Sequence, residues 1–250
     1  MRLVVVMPVF NEAGLIERAV ERLESTPPPV LPGGKRVERL LVLVDDGSTD
    51  GTGAIVRAIA DAGRAHAEMH EINRGKGAAL RTGFAKAMAL HADVVLVQDA
   101  DLEYDPRDHD AVLAPILDGR ADAVIGSRFI GTTHRVLYYW HFLANRFITL
   151  CSNALTNLNL SDIECCSKAM TRAALEKIQI EEHRFGVEPE LVAKLARLRL
   201  PDERDATRTR QARIYEVAVS YAGRTYEEGK KITWRDGVRA LWCIVKYNLR

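Results

Sequence analysis

Five short apolar runs in the first half of the chain, residues 3–7, 40–44, 66–72, 94–97 and 123–125, are separated by segments of helical period. Those segments cover residues 12–23, 52–60, 77–90 and 111–117. Strands spaced by helices of that length do not pair as hairpins. They form a parallel sheet with helices on both faces, and such sheets bind ligands beyond the carboxyl ends of their strands. A chain of 250 residues is long enough for one large α/β domain with a substantial core. The second half is less regular: a long amphipathic segment at 138–158, helices near 171–179 and 188–197, a strand at 214–219 and a final helix from Trp234. "STPPPVLPGGKR" and the Arg-rich "DERDATRTRQAR" read as loops.

The strand ends carry acids. After the first run comes "MPVFNE", after the second "VDDGSTDGT", after the fourth "QDADLE". Asp99, Asp101, Glu103 and Asp105 occupy alternate positions, and their mutual repulsion is poor structure unless a positive charge sits among them. An ordinary acidic loop is the plain alternative. A hard cation such as Mg²⁺ or Mn²⁺ relieves the repulsion better, because it takes one or two carboxylates together with the phosphates of a substrate. Asp45 to Ser48 suit a turn and a helix N-cap. Two carboxylates directly after a buried strand also suit hydrogen bonds from a base or a ribose.

In this order and spacing, "MPVFNE", "VDDGSTDGT", "NRGKGAALRTGF", "QDADLE" and "GSRF" resemble the inverting glycosyltransferases of family 2. "SDIECCSKAM", "RFGVEPELVAKLAR" and "EVAVSYAGRTYEEGKKITWRDG" extend the likeness over nearly the whole chain, toward the polyprenyl- and dolichyl-phosphate sugar synthases. The resemblance implies a GT-A fold, an α/β architecture whose mostly parallel, Rossmann-like sheet is flanked by helices, with amphipathic helices in the C-terminal half. It implies a single domain in which residues 1–130 take the nucleotide sugar and 131–250 the acceptor. The implied reaction is metal-dependent, inverting transfer of a hexose from a nucleotide-diphospho-sugar, of the GDP-mannose or UDP-glucose type, to a polyprenyl phosphate.

Matched motif by motif, Pro8, Phe10 and Glu12 form the first nucleotide-contact loop, with Phe10 where the family often has Tyr and its hydroxyl. Val44 and Asp46 match the base- and ribose-contacting pair, with Asp45 alongside. Asp99, Ala100 and Asp101 match the Asp-x-Asp element that binds metal and diphosphate, and Glu103 stands near the metal. Arg128 matches an arginine near the donor and acceptor phosphates, and Arg146 is a second candidate for the acceptor phosphate. Arg224 and Lys230 match a basic pair in a loop that closes over the donor diphosphate. Asp101, Arg128, Arg224 and Lys230 are therefore expected to carry catalysis.

Other features have plainer readings. "RGKGA" at 74–78 lacks the earlier glycine and the following Ser or Thr of a phosphate loop, so its glycines start a tightly packed helix. Glu188 or Glu190 would supply a base if the acceptor were a saccharide or other hydroxyl; a phosphate acceptor leaves them a structural role. Asp162 and Glu164 read as a helix cap or as arginine partners, Lys168 as packing. A catalytically inactive nucleotide-sugar-binding subunit is the rival of another class, and the intact Asp99, Asp101, Arg224 and Lys230 stand against it. Cys151, Cys165, Cys166 and Cys243 lack metal-ligand spacing, and the adjacent Cys165 and Cys166 read as reduced thiols. A net charge of +1 gives no reason to expect nucleic acid.

Residues 206–250 hold ten Lys and Arg against four Asp and Glu, a bias toward anionic substrates or a membrane surface. The aromatic residues of 138–147, mixed with His141 and Arg146, suit either a core or a helix lying in a membrane interface, as does "ALWCIVKYNLR". No run has the length and apolarity of a membrane span, and the sequence opens on a strand without a leader. The expectation is a cytoplasmic protein, peripheral on the cytoplasmic face of a membrane, docked directly or through a membrane-protein partner.

Overall fold

The computed structural model describes residues 1–250 apart from 32, 35, 132–134, 137, 204, 206, 226, 228–233 and 250. The βα alternation is present as β1 (Arg2–Val9), α1 (Ile16–Ser25), β2 (Glu38–Asp45), α2 (Thr52–Asp61), β3 (His66–Met69), α3 (Lys76–Ala89), β4 (Val94–Val97), α4 (His109–Leu117) and β5 (Ala123–Ser127). The second half continues with α5 (Tyr139–Thr156), β6 (Lys168–Thr171), α6 (Arg172–Leu175), α7 (Val187–Arg197), β7 (Arg199–Pro201), β8 (Thr209–Gln211), β9 (Ile214–Ala218) and α8 (Trp234–Asn248).

Seven strands form one sheet in the order β3-β2-β1-β4-β6-β5-β9. All neighbours are parallel except β6, which runs antiparallel between β4 and β5. The sequence gives little sign of β6. At four residues it is too short to display a period, and the strands on either side impose its conformation. β1 pairs on one edge with β2 (Val6 opposite Val42) and on the other with β4 (Val6 opposite Val97). Its residues alternate between two cores. Leu3, Val5 and Met7 pack with Ile16, Val20 and Val56 of α1 and α2, while Val4 and Val6 pack with Leu80, Phe84 and Leu191 of α3 and α7. Burial on both faces explains a strand that is apolar from Leu3 to Val9, and each fully buried large side chain contributes roughly 1.5–3 kcal/mol.

α3 lies unusually close to β1, because a Cβ at Gly83 would overlap Val6 Cγ1. Gly47 in the "DDGS" turn has φ +70°, and a Cβ there would strike the backbone of Ile72 and Asn73. The Arg-rich segment is not simply a loop. β7 and β8 pair as a hairpin, and Arg210 and Arg213 both reach Asp122, at 2.5 and 3.2 Å. α5 and α8 pack against each other and against α7. Both keep large apolar side chains exposed, among them Trp140, Phe147, Trp234 and Trp242. Among the described residues no helix is long and apolar enough to cross a membrane. The four cysteines are free.

Candidate active site

The strand order reverses direction between β1 and β4, and a crevice opens where two adjacent strands send their chains to opposite sides. A cleft of about 330 Å³ lies there. Pro8, Phe10 and Glu12 reach it from the end of β1, Asp46 from the end of β2, and Asp99, Ala100, Asp101 and Glu103 from the end of β4. Arg128, just beyond β5, and Arg224 complete the set of expected residues that line it.

The acids are met by two cations from distant parts of the chain. Lys76 Nζ, at the first position of α3, lies 2.9 Å from Asp99 Oδ1 and 3.3 Å from Glu188 Oε1. Burial works against its charge, but Asp99, Cys166 and Glu188 beside it keep the ammonium protonated well above its usual range. Arg224 donates to both carboxylate oxygens of Glu12 at 3.3 Å, to Asp101 Oδ2 at 3.4 Å and, through its backbone N–H, to Glu103 Oε1 at 2.9 Å. The residue expected to close over a diphosphate thus rests on the acids. Even so, burial together with the Asp99 and Glu103 carboxylates pushes Asp101 up to about 7. That carboxyl remains under-neutralised by the protein alone.

Among the described residues no group of three His, Cys, Asp or Glu side chains is arranged to hold a metal ion. Of the expected trio Asp99, Asp101 and Glu103, Glu103 turns to the backbone N–H and Nε of Arg224. Asp99 and Asp101 remain as two hard oxygen donors on the cleft wall, beside a carboxyl short of positive charge. They fit a cation that draws its other ligands from phosphate and water.

Several expected contacts lie elsewhere. The Val44 side chain is fully buried in the core, and neither it nor Asp45 lines the cleft. Asp46 does line it, but its carboxylate is already engaged: it accepts from the backbone N–H of Arg74 (3.0 Å) and Gly75 (2.6 Å) and from Asn73 Nδ2 (2.9 Å), and His70 Nδ1 lies 2.6 Å away. It shapes the loop ahead of α3, which brings Asn73, Gly75 and Lys76 to the cleft. Arg146 is exposed on α5 and lines neither this cleft nor the groove beside it; its neighbour Asn145 does, and donates to Asp162. Lys230 lies outside the described residues.

Arg128 is gripped by Asp162, through Nε at 2.6 Å and Nη2 at 2.8 Å, and its guanidinium stacks 5.1 Å from the centroid of the Tyr221 ring. Asp162 is therefore an arginine partner, as the sequence allowed. Arg128 and Tyr221 also border a second groove, whose walls are largely aromatic: Phe129, Tyr138, Tyr139 and Phe142.

Glu188 is buried and bound to Lys168, itself 1% exposed, as well as to Lys76. Glu190 accepts from the backbone N–H groups of Glu181 and Glu182 and pairs with Lys194. Glu190 is committed to structure, and Glu188, which lines the cleft, is held there by the two lysines. Glu164 is not so held: burial and the nearby Glu188 push it up to about 7, and it lines the cleft. Sequence reasoning missed Lys76, Tyr104, Phe185 and Tyr221 as lining residues. For Lys76 a signal existed, a lysine between the two glycines of a helix start. Gly77 lets α3 meet the backbone of Glu182, which brings Lys76 inward.

The sequence profile described as Glycosyl transferase family 2 matches residues 4–179. The polyprenol monophosphomannose synthase of Mycolicibacterium smegmatis is 31% identical over 72% of this chain and 65% of its own length. The undecaprenyl-phosphate 4-deoxy-4-formamido-L-arabinose transferase of Pseudomonas aeruginosa is 27% identical over 90% of this chain and 59% of its own. The chain spans less than two thirds of the length of these curated relatives. Among solved structures, the glucosyl-3-phosphoglycerate synthase of Mycobacterium tuberculosis, crystallised with Mn²⁺, UDP and glucosyl-3-phosphoglycerate, superimposes with a TM-score of 0.68 at 20% identity, covering 99% of this chain and 80% of that one. The mannosyl-3-phosphoglycerate synthase of Rubrobacter xylanophilus does so with a TM-score of 0.67 at 17% identity, covering 99% and 72%. The GT-A fold is common to them.

Proposed function

The chain belongs to glycosyl transferase family 2, and from that membership we propose that it is a metal-dependent, inverting hexosyltransferase acting between a nucleotide-diphospho-sugar and a polyprenyl phosphate. The observation that carries the reading is one continuous surface with two chemistries. An under-neutralised carboxyl, Asp101, stands with Asp99 beyond the end of β4, and across the same cleft Arg128 opens onto an aromatic groove.

Asp99 and Asp101 would hold Mg²⁺ or Mn²⁺, which when bound supplies Lewis-acid stabilisation of the departing nucleoside diphosphate. Arg224 is placed to move from the acids to the diphosphate as negative charge develops, and Lys230 is proposed to join it. Asn73 and the loop held by Asp46 face the nucleotide end, beside Phe10. On the acceptor side a phosphate monoester is already an anion near neutral pH, so it needs positioning more than a base. Arg128 offers Nη1, since Asp162 takes Nε and Nη2. Attack on C1 in line with the departing diphosphate inverts the anomeric centre. The engagement of Glu188 and Glu190 with lysines leaves neither of the two acids expected to serve a hydroxyl acceptor free as a base, which supports the phosphate acceptor. The aromatic groove suits the first prenyl units, and the exposed faces of α5 and α8 suit a protein peripheral on the cytoplasmic side of a membrane.

The test is a radiolabelled transfer assay with Mg²⁺ or Mn²⁺, offering GDP-mannose, UDP-glucose and UDP-N-acetylglucosamine against a short polyprenyl phosphate. Label entering the organic phase with one donor is the expected outcome. Donor hydrolysis without labelled lipid would reject the acceptor and turn the search to hydroxyl compounds.

A further inference from the structure

Residues 162–166 link the partner of Arg128 to the partner of Lys76, and two of them, Glu164 and Cys166, line the cleft. Asp162 grips Arg128. Cys166 Sγ lies 2.9 Å from Lys76 Nζ, which also binds Asp99. Glu164, between them in sequence, lines the same cleft.

Its situation differs from that of every acid around it. Glu188 is bound by Lys168 and Lys76, Asp162 by Arg128, and Glu190 by Lys194. Lys168, the nearest cation on β6, is occupied by Glu188 and by the carbonyls of Ile163 and Cys165. The Glu164 carboxyl has no hydrogen bond to any described residue. Oε1 is sealed from solvent without a partner, which leaves Oε2 as the oxygen open to the cleft. A carboxyl withdrawn from water with no donor is a cost to the fold unless a ligand completes it.

The ligand that reaches this point is defined by the reaction. C1 of the transferred sugar must sit between a diphosphate leaving from Asp99 and Asp101 and a nucleophile held at Arg128. Glu164 lines that same cleft, so a pyranose ring spanning it would come within reach of its carboxyl. We propose that Glu164 hydrogen-bonds a hydroxyl of the transferred hexose and so discriminates among donor sugars. A sugar hydroxyl both donates and accepts, so it serves the carboxyl in either protonation state. A site that relies on a hydroxyl to satisfy a buried polar group penalises donors that lack it in that position. The inference rests on the nucleotide-sugar reading above, but not on the identity of the acceptor.

The experiment measures, in excess Mn²⁺ and without acceptor, the affinity of the whole chain for GDP-mannose, UDP-glucose and UDP-N-acetylglucosamine, each against its own nucleoside diphosphate. In the native protein the preferred donor binds more tightly than its diphosphate. In Glu164→Ala that advantage should fall on the order of 10–100-fold, the loss expected for one hydrogen bond to a carboxyl group, while the diphosphate alone binds as before. The differences among donors should shrink with it. Glu164→Gln, which keeps shape and hydrogen-bonding capacity, should retain most of the advantage; it also serves as the readout if the alanine variant does not fold.

An unchanged donor-to-diphosphate ratio in Glu164→Ala overturns the assignment, and so does a loss that falls equally on donor and diphosphate. Lost turnover with the ratio intact also overturns it, because the group would then act on the acceptor's proton. If label reaches the lipid and the ratio is unmoved, the transferase reading stands without Glu164. If the ratio collapses and no lipid is labelled, Glu164 stands and the polyprenyl acceptor is rejected.

Discussion

At the scale of single residues, the site is a problem in charge. Asp99, Asp101 and Glu103 are legible in the sequence as a cluster at a strand tip, because the distance from a buried strand to its end is a local property. Their partners are not. Arg224 is 123 positions from Asp101, and Lys76 sits in a segment whose glycines explain it well enough as a helix start. Even with Arg224 beside it, Asp101 protonates near neutrality, which makes it sensitive to an added positive charge. Asp101→Asn should lower turnover by about 100-fold or more and abolish the Mn²⁺-dependent tightening of nucleoside diphosphate binding. Its folding stability should stay level or rise slightly, since a like-charged neighbour of Asp99 and Glu103 is removed. Steady-state kinetics with a metal titration checks this, and native rates in the variant would remove Asp101 from the site.

At the scale of elements, α3 matters most, because it delivers Lys76 and packs directly on β1. Its glycines look unfavourable in a helix, where Gly is about 0.5–1 kcal/mol worse than Ala. The close approach to Val6 reverses that preference at Gly83. Gly83→Ala should therefore destabilise the protein by about 1–3 kcal/mol through overpacking, and adding Val6→Ala should recover part of the loss. Urea denaturation of the two variants measures it; a single variant as stable as the native chain would mean that α3 shifts at no cost. Helices and parallel strands were readable from their periods. β6 and the β7–β8 hairpin were not, being three or four residues each, formed because neighbouring strands or the Asp122 ion pairs hold them.

At the scale of the whole molecule, the site is tied to the sheet through His109, 2% exposed at the start of α4, whose Nε2 lies 2.7 Å from Gln98 Oε1 at the end of β4. Burial, with Arg39 nearby, pushes its imidazole down to about 4. The unfolded chain binds that proton near pH 6.5 and the folded one near 4, so the stability this group contributes is complete above about pH 6.5 and lost as pH falls toward 4, about 3 kcal/mol in all. Asp101 and Glu164, both raised to about 7, act in the opposite sense over the same range. The test is therefore the difference between the native chain and His109→Gln, measured by denaturation from pH 7 to pH 4; that difference should narrow as pH falls, and a constant difference would show that His109 does not titrate there. The sequence alone determined the succession of strands and helices, the placing of acids at the carboxyl ends of β1, β2 and β4, and the motifs by which the family is recognised. Each depends on residues within a turn or a strand of one another. Only the tertiary structure decided which charges meet: Lys76 with Asp99, Arg224 with Glu12 and Asp101, Lys168 with Glu188, and Glu164 with no partner among the described residues. Those pairings follow from strand order and from the distance between α3 and β1, which no local pattern encodes.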